Sequence, residues 1–367
     1  MNPTTQLGPV LRRRAALPHS TAALARGQLT VGFLGGSITD PSTGNRWPEA
    51  LVGWLVDAHP HARITVENAA LGATGSDLAA VRVQEAILAR RCDLVFVEYA
   101  ANDFGTEPKL RERTREGVLR QLLAAGNCDV VIVYTYFQEM LTDMLAGKVP
   151  PSIADFELLA EHYRLNSVWM ALHALRENER GLMTWEEWLP DGLHPESRGS
   201  LSYAQSVIAF LAETLARPPA AVVPAPLPPP RSPDAWEHIG FVPFEAIERR
   251  GPWSVRRCET CRGINQVLIS FASGAGLKFD FEGRGLVLGF DFGRSSGEIR
   301  YRIDGGEWQT SRRDYPSWAG PAGWLRAYVV TDQLARGRHA FELEALPGSI
   351  AEVRGVRTSI GFFAVIK

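Results

Sequence analysis

The sequence predicts an α/β unit built on a mostly parallel sheet, followed by an all-β sandwich. Three observations predict it. Up to residue 217, short apolar runs alternate with helix-length segments, the pattern of strands joined by helical crossovers. Residues 218–233 are dominated by proline and alanine, the composition of a stiff extended spacer between domains. Beyond them helical periodicity ends, and seven short β-prone runs alternate with turn signals, as in an antiparallel sandwich. The expected parts are an N-terminal extension (1–28), an α/β domain (29–217), a proline-rich linker (218–233) and a β-sandwich domain (234–367).

The first strand is expected at Leu29–Leu34, an apolar run that ends in glycines, as a buried parallel strand does. A helix follows over Pro48–Ala58, with proline suited to its first turn. Arg63–Leu71 reads as the second strand, and Ser76–Arg90 as an amphipathic helix capped by Ser76 or Asp77. Asp93–Tyr99 is the third strand, Leu110–Ala125 a helix with a charged face, and Val130–Phe137 the fourth strand. A helix near Asp155–Tyr163, a short strand at Val168–Ala171 and a final helix over Ser200–Ala216 complete the unit. In the second part the strands are expected at Gln266–Phe271, Leu277–Phe281, Leu286–Phe292, Ile299–Ile303, Ala327–Val330, His339–Leu343 and Gly361–Ile366.

Composition narrows the function classes. With 45% hydrophobic and 22% charged residues and a net charge of −2, nothing pulls the chain onto nucleic acid or an anionic membrane. The run Arg12-Arg13-Arg14 is short, and reads as a solvated segment. No apolar stretch is long enough to span a bilayer. The four cysteines form no disulfide framework, and Cys258-Glu-Thr-Cys261 lacks the further ligands that zinc requires. No metal site is expected. Free thiols and the absence of a secretory leader make the cytoplasm the expected compartment. Oligomeric state is not legible, and a homo-oligomer is compatible with the sequence.

Chemistry-bearing residues cluster at expected strand ends. In Leu34-Gly35-Gly36-Ser37-Ile38-Thr39, a strand runs into a tight turn that presents Ser37 at the carboxyl edge of the sheet, where ligands bind in such folds. A serine there also serves as a helix cap, and a phosphate-cradling loop is a third reading, although the P-loop lysine is missing. A nucleophilic serine needs a base, and the base needs an orienting acid. Asp191-Gly-Leu-His194-Pro supplies both in a loop bounded by glycine and proline, and none of the other seven histidines has an acid at that spacing. Donors for a developing oxyanion are available after the second strand, in Asn68-Ala-Ala-Leu-Gly72-Ala73, and after the third, from the side chain of Asn102.

Taken in order, Gly35-Gly36-Ser37-Ile38, Gly72, Asn102-Asp103 and Asp191-Gly-Leu-His194-Pro resemble the four sequence blocks of the SGNH (GDSL-like) hydrolase superfamily. The resemblance covers about residues 29–216. It implies a flavodoxin-like αβα sandwich, a Ser37–His194–Asp191 triad, an oxyanion hole from Ser37, Gly72 and Asn102, and no metal or organic cofactor. Two positions depart from the pattern. Gly36 stands where the family has aspartate, and counting from Asn68 puts Ala73 rather than Gly72 at the oxyanion position. Gly72 is the preferred donor, with Ala73 as the alternative.

Many members of the superfamily deacetylate sugars, and others cleave lipids, aryl esters or thioesters. The appended β-domain, with Trp236, Trp253, Trp308, Trp318 and Trp324, favours an oligosaccharide ester, because rings stack on sugar faces; most of these tryptophans are expected in the core. Trp185 and Trp188 are placed either along an acyl pocket or at the edge of the domain. No amphipathic membrane helix speaks for a lipase. The competing class is a non-catalytic glycan-binding protein on the same scaffold, and the joint presence of Ser37, Asn102, Asp191 and His194 argues against it.

Overall fold

A computed structural model describes residues 7–43, 46–217, 226–258, 261–312, 316, 318–319, 323–349 and 354–367. Contacts divide the chain between Glu237 and His238. In the first unit the elements run β1 (Leu11–Arg12), α1 (Pro18–Ala25), β2 (Gln28–Leu34), α2 (Trp47–Ala58), β3 (Arg63–Asn68), α3 (Ser76–Ala86), β4 (Leu94–Val97) and α4 (Pro108–Ala125). They continue with β5 (Asp129–Val133), α5 (Leu141–Leu145), α6 (Pro151–His162), β6 (Asn166–Val168), α7 (Met170–Glu179), α8 (Trp185–Trp188) and α9 (Ser197–Leu215). The sheet order is β1-β6-β5-β4-β2-β3. All its pairs are parallel except β1 with β6. Without β1 this is the flavodoxin order, with its reversal point between β2 and β4.

The strands form because their residues leave water on both faces: all four residues of β4 and all five of β5 are buried. Phe33, Trp47 and Phe96 interlock with ring centroids 5.3 to 5.7 Å apart, joining β2, α2 and β4 beneath the carboxyl edge of the sheet. Among the described residues no helix is long and apolar enough to cross a membrane.

Several sequence expectations are corrected. Residues 7–28, expected as an extension, include β1 and α1 of the first unit. The arginine run is not solvated: Arg12 and Arg14 both pair with the buried Glu157, which also accepts from Tyr134 Oη (2.7 Å), and Arg13 pairs with Glu213 (2.6 Å). These partners lie far away in sequence, which is why the run reads as a charged tail. The charged residues of α4 do not all face solvent either, since Arg111, Arg115, Glu116 and Arg120 are buried. The Ser76 N–H at the start of α3 is capped by Asp103 Oδ1 (3.0 Å) rather than by Ser76 or Asp77.

Of the expected linker, residues 218–225 lie outside the described residues. Residues 226–237 pack as a strap along α4. Arg120 bonds the Pro228 carbonyl (2.8 Å) and Glu237 (2.7 Å), and Glu116 accepts the N–H groups of Arg231 and Ser232 (both 2.7 Å). Trp236 is fully buried in the first unit, so it is not a residue of the β-domain.

The second unit comprises β7 (Ile239–Phe241), β8 (Glu248–Arg250), β9 (Ser254–Arg257), β10 (Gln266–Ser270), β11 (Gly276–Gly283), β12 (Gly285–Phe292) and β13 (Glu298–Ile303), then β14 (Gln309–Thr310), β15 (Trp324–Thr331), β16 (Gly337–Leu346) and β17 (Thr358–Ile366). One sheet is ordered β15-β12-β17-β10-β9, with β7 on β17, and the other β14-β13-β16-β11-β8. Between them lie Leu268, Leu288, Phe290 and Phe363 from the first sheet and Phe279, Phe281, Ile299 and Phe341 from the second. Phe279 meets Phe363 edge-on at 4.9 Å. The seven expected strands are present; β7, β8, β9 and β14 are additional. Trp308 and Trp318 are exposed, 39% and 53%, and Trp253 packs on the core.

Candidate active site

The reversal point of the sheet gathers the candidate residues. β2 and β4 are hydrogen-bonded neighbours, and the loops leaving their carboxyl ends carry Ser37 and Asn102. Ser37 lies in a turn closed by Thr39 N–H and Asp40 N–H donating to the Gly36 carbonyl (3.1 and 3.0 Å). The loop after β3 is bound to this turn: Leu71 N–H donates to the Gly35 carbonyl (3.0 Å), and the Asn68 amide to the Thr39 carbonyl (2.9 Å).

His194 lies in the loop between α8 and α9. Its Nε2 is 2.7 Å from Ser37 Oγ, and its Nδ1 is 2.7 Å from Asp191 Oδ2. The same aspartate accepts the backbone N–H groups of Leu193 (2.9 Å) and His194 (2.7 Å) on Oδ1. This local turn runs through Gly192, whose φ of +78° lies in the left-handed region. Partial burial pushes the Asp191 carboxyl up, but the bonds from the His194 backbone, its ring and Leu193 N–H outweigh it, so its pKa lies below the usual carboxylate value. Ser37, on the loop after β2, thus meets His194 and Asp191, which share the loop between α8 and α9.

The oxyanion candidates divide. A Cβ on Gly36 would fall 1.9 Å from Asn102 Oδ1 and 2.7 Å from its Nδ2. Glycine before the serine is therefore what lets the Asn102 amide sit against the nucleophile turn. That amide makes no hydrogen bond among the described residues, so its protons are available. Gly72 also approaches closely, since a Cβ there would be 3.4 Å from Ser37 Cβ. Its N–H, however, donates to Asp40 Oδ2 (2.8 Å). The N–H of Ala73 has no partner among the described residues, and Ala73 holds φ 56°, a strained value for alanine.

Sequence reasoning missed the residues that hold these loops. Asp40 is buried, and its other oxygen accepts Ser42 N–H (2.8 Å) and Oγ–H (2.7 Å). Asp103 caps α3 and accepts Arg115 Nε–H (2.8 Å) in a fully buried ion pair; Arg115 also donates to the Tyr99 and Ser152 carbonyls. Asp103 stands next to Asn102 and fixes its loop. Its sequence signal was the Asn-Asp pair itself. Arg46 donates to the Pro195 carbonyl (3.2 Å) and, with Glu196, Asp191 and His194, lines a cavity of about 390 Å³ beside the histidine loop. Trp188 is core: it stacks on Trp185 (4.8 Å) and meets Tyr136 (5.0 Å).

No family model matches the chain, and no curated protein matches it. Among solved structures, a two-domain esterase active on acetylated mannans superposes with a TM-score of 0.82 at 19% identity, covering 99% of this chain and 98% of that one. The same kind of esterase co-crystallised with mannopentaose gives 0.81 at 20% identity, covering 99% and 97%. An acetylxylan esterase from Geobacillus stearothermophilus aligns with 52% of this chain and 95% of its own, at a TM-score of 0.40 and 18% identity. The likeness to the two-domain esterase spans both units and establishes the fold, a mostly parallel α/β unit followed by a β-sandwich.

Proposed function

We propose that the chain is a serine esterase that removes short acyl groups, O-acetyl first among them, from carbohydrates. The observation that carries this reading is the pair of 2.7 Å hydrogen bonds joining Ser37, His194 and Asp191 at the carboxyl edge of the sheet. In the proposed cycle, Ser37 Oγ attacks the ester carbonyl while His194 Nε2 takes its proton. Asp191 holds Nδ1–H and balances the imidazolium that forms. The tetrahedral oxyanion is held by Ser37 N–H, the Asn102 amide and the N–H of Ala73. Ala73 is preferred to Gly72 because Asp40 already engages the Gly72 donor. The intermediate collapses, and His194 returns the proton to the departing alcohol. Water, deprotonated by His194, then attacks the acyl-enzyme, releasing the carboxylic acid and restoring Ser37.

The carbohydrate assignment rests on the appended β-sandwich, on its exposed Trp308 and Trp318, and on the fold shared with an esterase active on acetylated mannans. The test is a series of p-nitrophenyl esters of increasing chain length, run beside acetylated mannan and xylan oligosaccharides. Turnover is expected to be highest with acetyl and to release acetate from the oligosaccharides. Preference for long acyl chains, with no acetate released from any sugar, would assign a lipase or thioesterase instead.

A further inference from the structure

Glu98 follows β4 directly and is completely buried. Among the described residues it makes no ion pair. Its carboxylate instead gathers neutral donors from the nucleophile turn and from the loop after β5. Thr135 Oγ1–H donates to Oε1 (2.6 Å), while Thr39 Oγ1–H (3.1 Å) and Gly36 N–H (3.3 Å) donate to Oε2. Thr39 Oγ1 also accepts Trp47 Nε1–H (3.0 Å), which ties the turn to α2. A Cβ on Gly35 would lie 2.9 Å from Oε2, and Glu98 N–H bonds the Leu34 carbonyl (2.8 Å). One carboxylate therefore brackets Ser37, from Gly36 on one side and Thr39 on the other, and binds the turn to the strand that leads into Asn102.

A buried carboxylate with no cation is costly, and an apolar side chain packed against apolar neighbours would serve stability as well or better. The three donors oriented on it satisfy its oxygens. Burial pushes its pKa up, against the bonds from Thr135, Gly36 and Thr39. We infer that Glu98 is a positioning residue for the proposed esterase reaction: it fixes the nucleophile turn and the Asn102 loop in one register, and so holds Ser37 Oγ and the oxyanion donors in place. This inference rests on the esterase reading.

The experiment compares wild type, Glu98→Gln, Glu98→Asp and Thr39→Val on p-nitrophenyl acetate, with Ser37→Ala as control. Melting temperature and the rate of fluorophosphonate labelling are read alongside. Glu98→Gln keeps the size of the side chain but presents an N–H to one of the donors. Misplacing reacting groups by a fraction of an ångström to an ångström costs up to about 100-fold. Glu98→Gln is therefore expected to lower kcat about 10- to 100-fold with KM within about two-fold, and to slow labelling by the same factor. Thr39→Val is expected to shift kcat in the same direction by less, and Glu98→Asp to restore part of it. A folded Glu98→Gln protein with wild-type kcat and labelling overturns the inference, whatever its melting temperature. If Glu98→Gln does not fold, unchanged kcat in Thr39→Val overturns it. Full activity in Ser37→Ala, or none in wild type, would instead sink the esterase reading on which it rests.

Discussion

A serine hydroxyl attacks an ester near neutral pH only when its proton has a waiting acceptor, and His194 Nε2 stands 2.7 Å from Ser37 Oγ. Ser37→Ala is expected to lower kcat about 10⁴-fold or more with the melting temperature unchanged. Residual turnover near wild type on p-nitrophenyl acetate would contradict it. Asp191→Asn leaves the loop geometry but offers Nδ1 the wrong partner, and should cost about as much. Because its bonds hold the Asp191 carboxyl below the usual range, Asp191 stays ionised as the pH falls through the range where imidazoles take up protons. An acid-side loss of kcat/KM is then not due to protonation of Asp191. A pH-rate profile checks this beside His173→Ala, which should keep both its activity and its acid limb, while His194→Ala loses turnover. Asn102→Ala is expected to lower kcat about 10²-fold with little change in KM. Ser37 and Asn102 were readable as candidates because each carries its chemistry in its type just past a strand, and Asp191 and His194 because an acid and a base share one loop bounded by glycine and proline. The grip of Asp40 on the Gly72 amide was not readable, since it joins two loops through a backbone N–H that carries no sequence signal.

At the scale of elements, the central strands were legible because burial on both faces demands unbroken apolar runs, as in Val130–Val133. β8 and β9 read as polar because they are short, arginine-rich edges, with exposed residues throughout Glu248–Arg250. The strap at 226–237 was illegible for another reason. Its prolines read as spacer, yet its carbonyls and N–H groups are taken up by Arg120 and Glu116. Gly117, inside α4, is what admits it: a Cβ there would lie 2.6 Å from the Trp236 carbonyl oxygen. Helix propensity alone favours Gly117→Ala by about 1 kcal/mol. The expected outcome is the reverse, a lower melting temperature, because the new methyl displaces the strap. Trp236→Ala should cost about 3–5 kcal/mol by emptying the same site. Thermal unfolding of the two variants checks both signs, and a stabilised Gly117→Ala would show that the strap does not seat there.

At the scale of the molecule, every residue proposed for the chemistry lies in the first unit, and that unit runs to Glu237. A chain ending after Glu237 is expected to hydrolyse p-nitrophenyl acetate at close to the full-length rate. A chain ending after Arg217 would leave Glu116 without two of its donors and expose the Trp236 site, and it is expected to aggregate or melt lower. Loss of small-ester activity in the folded 1–237 chain would mean that the second unit completes the site. The two-part architecture was legible from the change of periodicity, whereas the point of division was not, because composition marks proline and not what proline packs against. The most direct test of the central claim is fluorophosphonate labelling of the full-length protein followed by peptide mass spectrometry. One label per chain is expected, on Ser37, abolished in Ser37→Ala and strongly slowed in His194→Ala. A folded protein that takes no label, or takes it on another residue, would contradict the account.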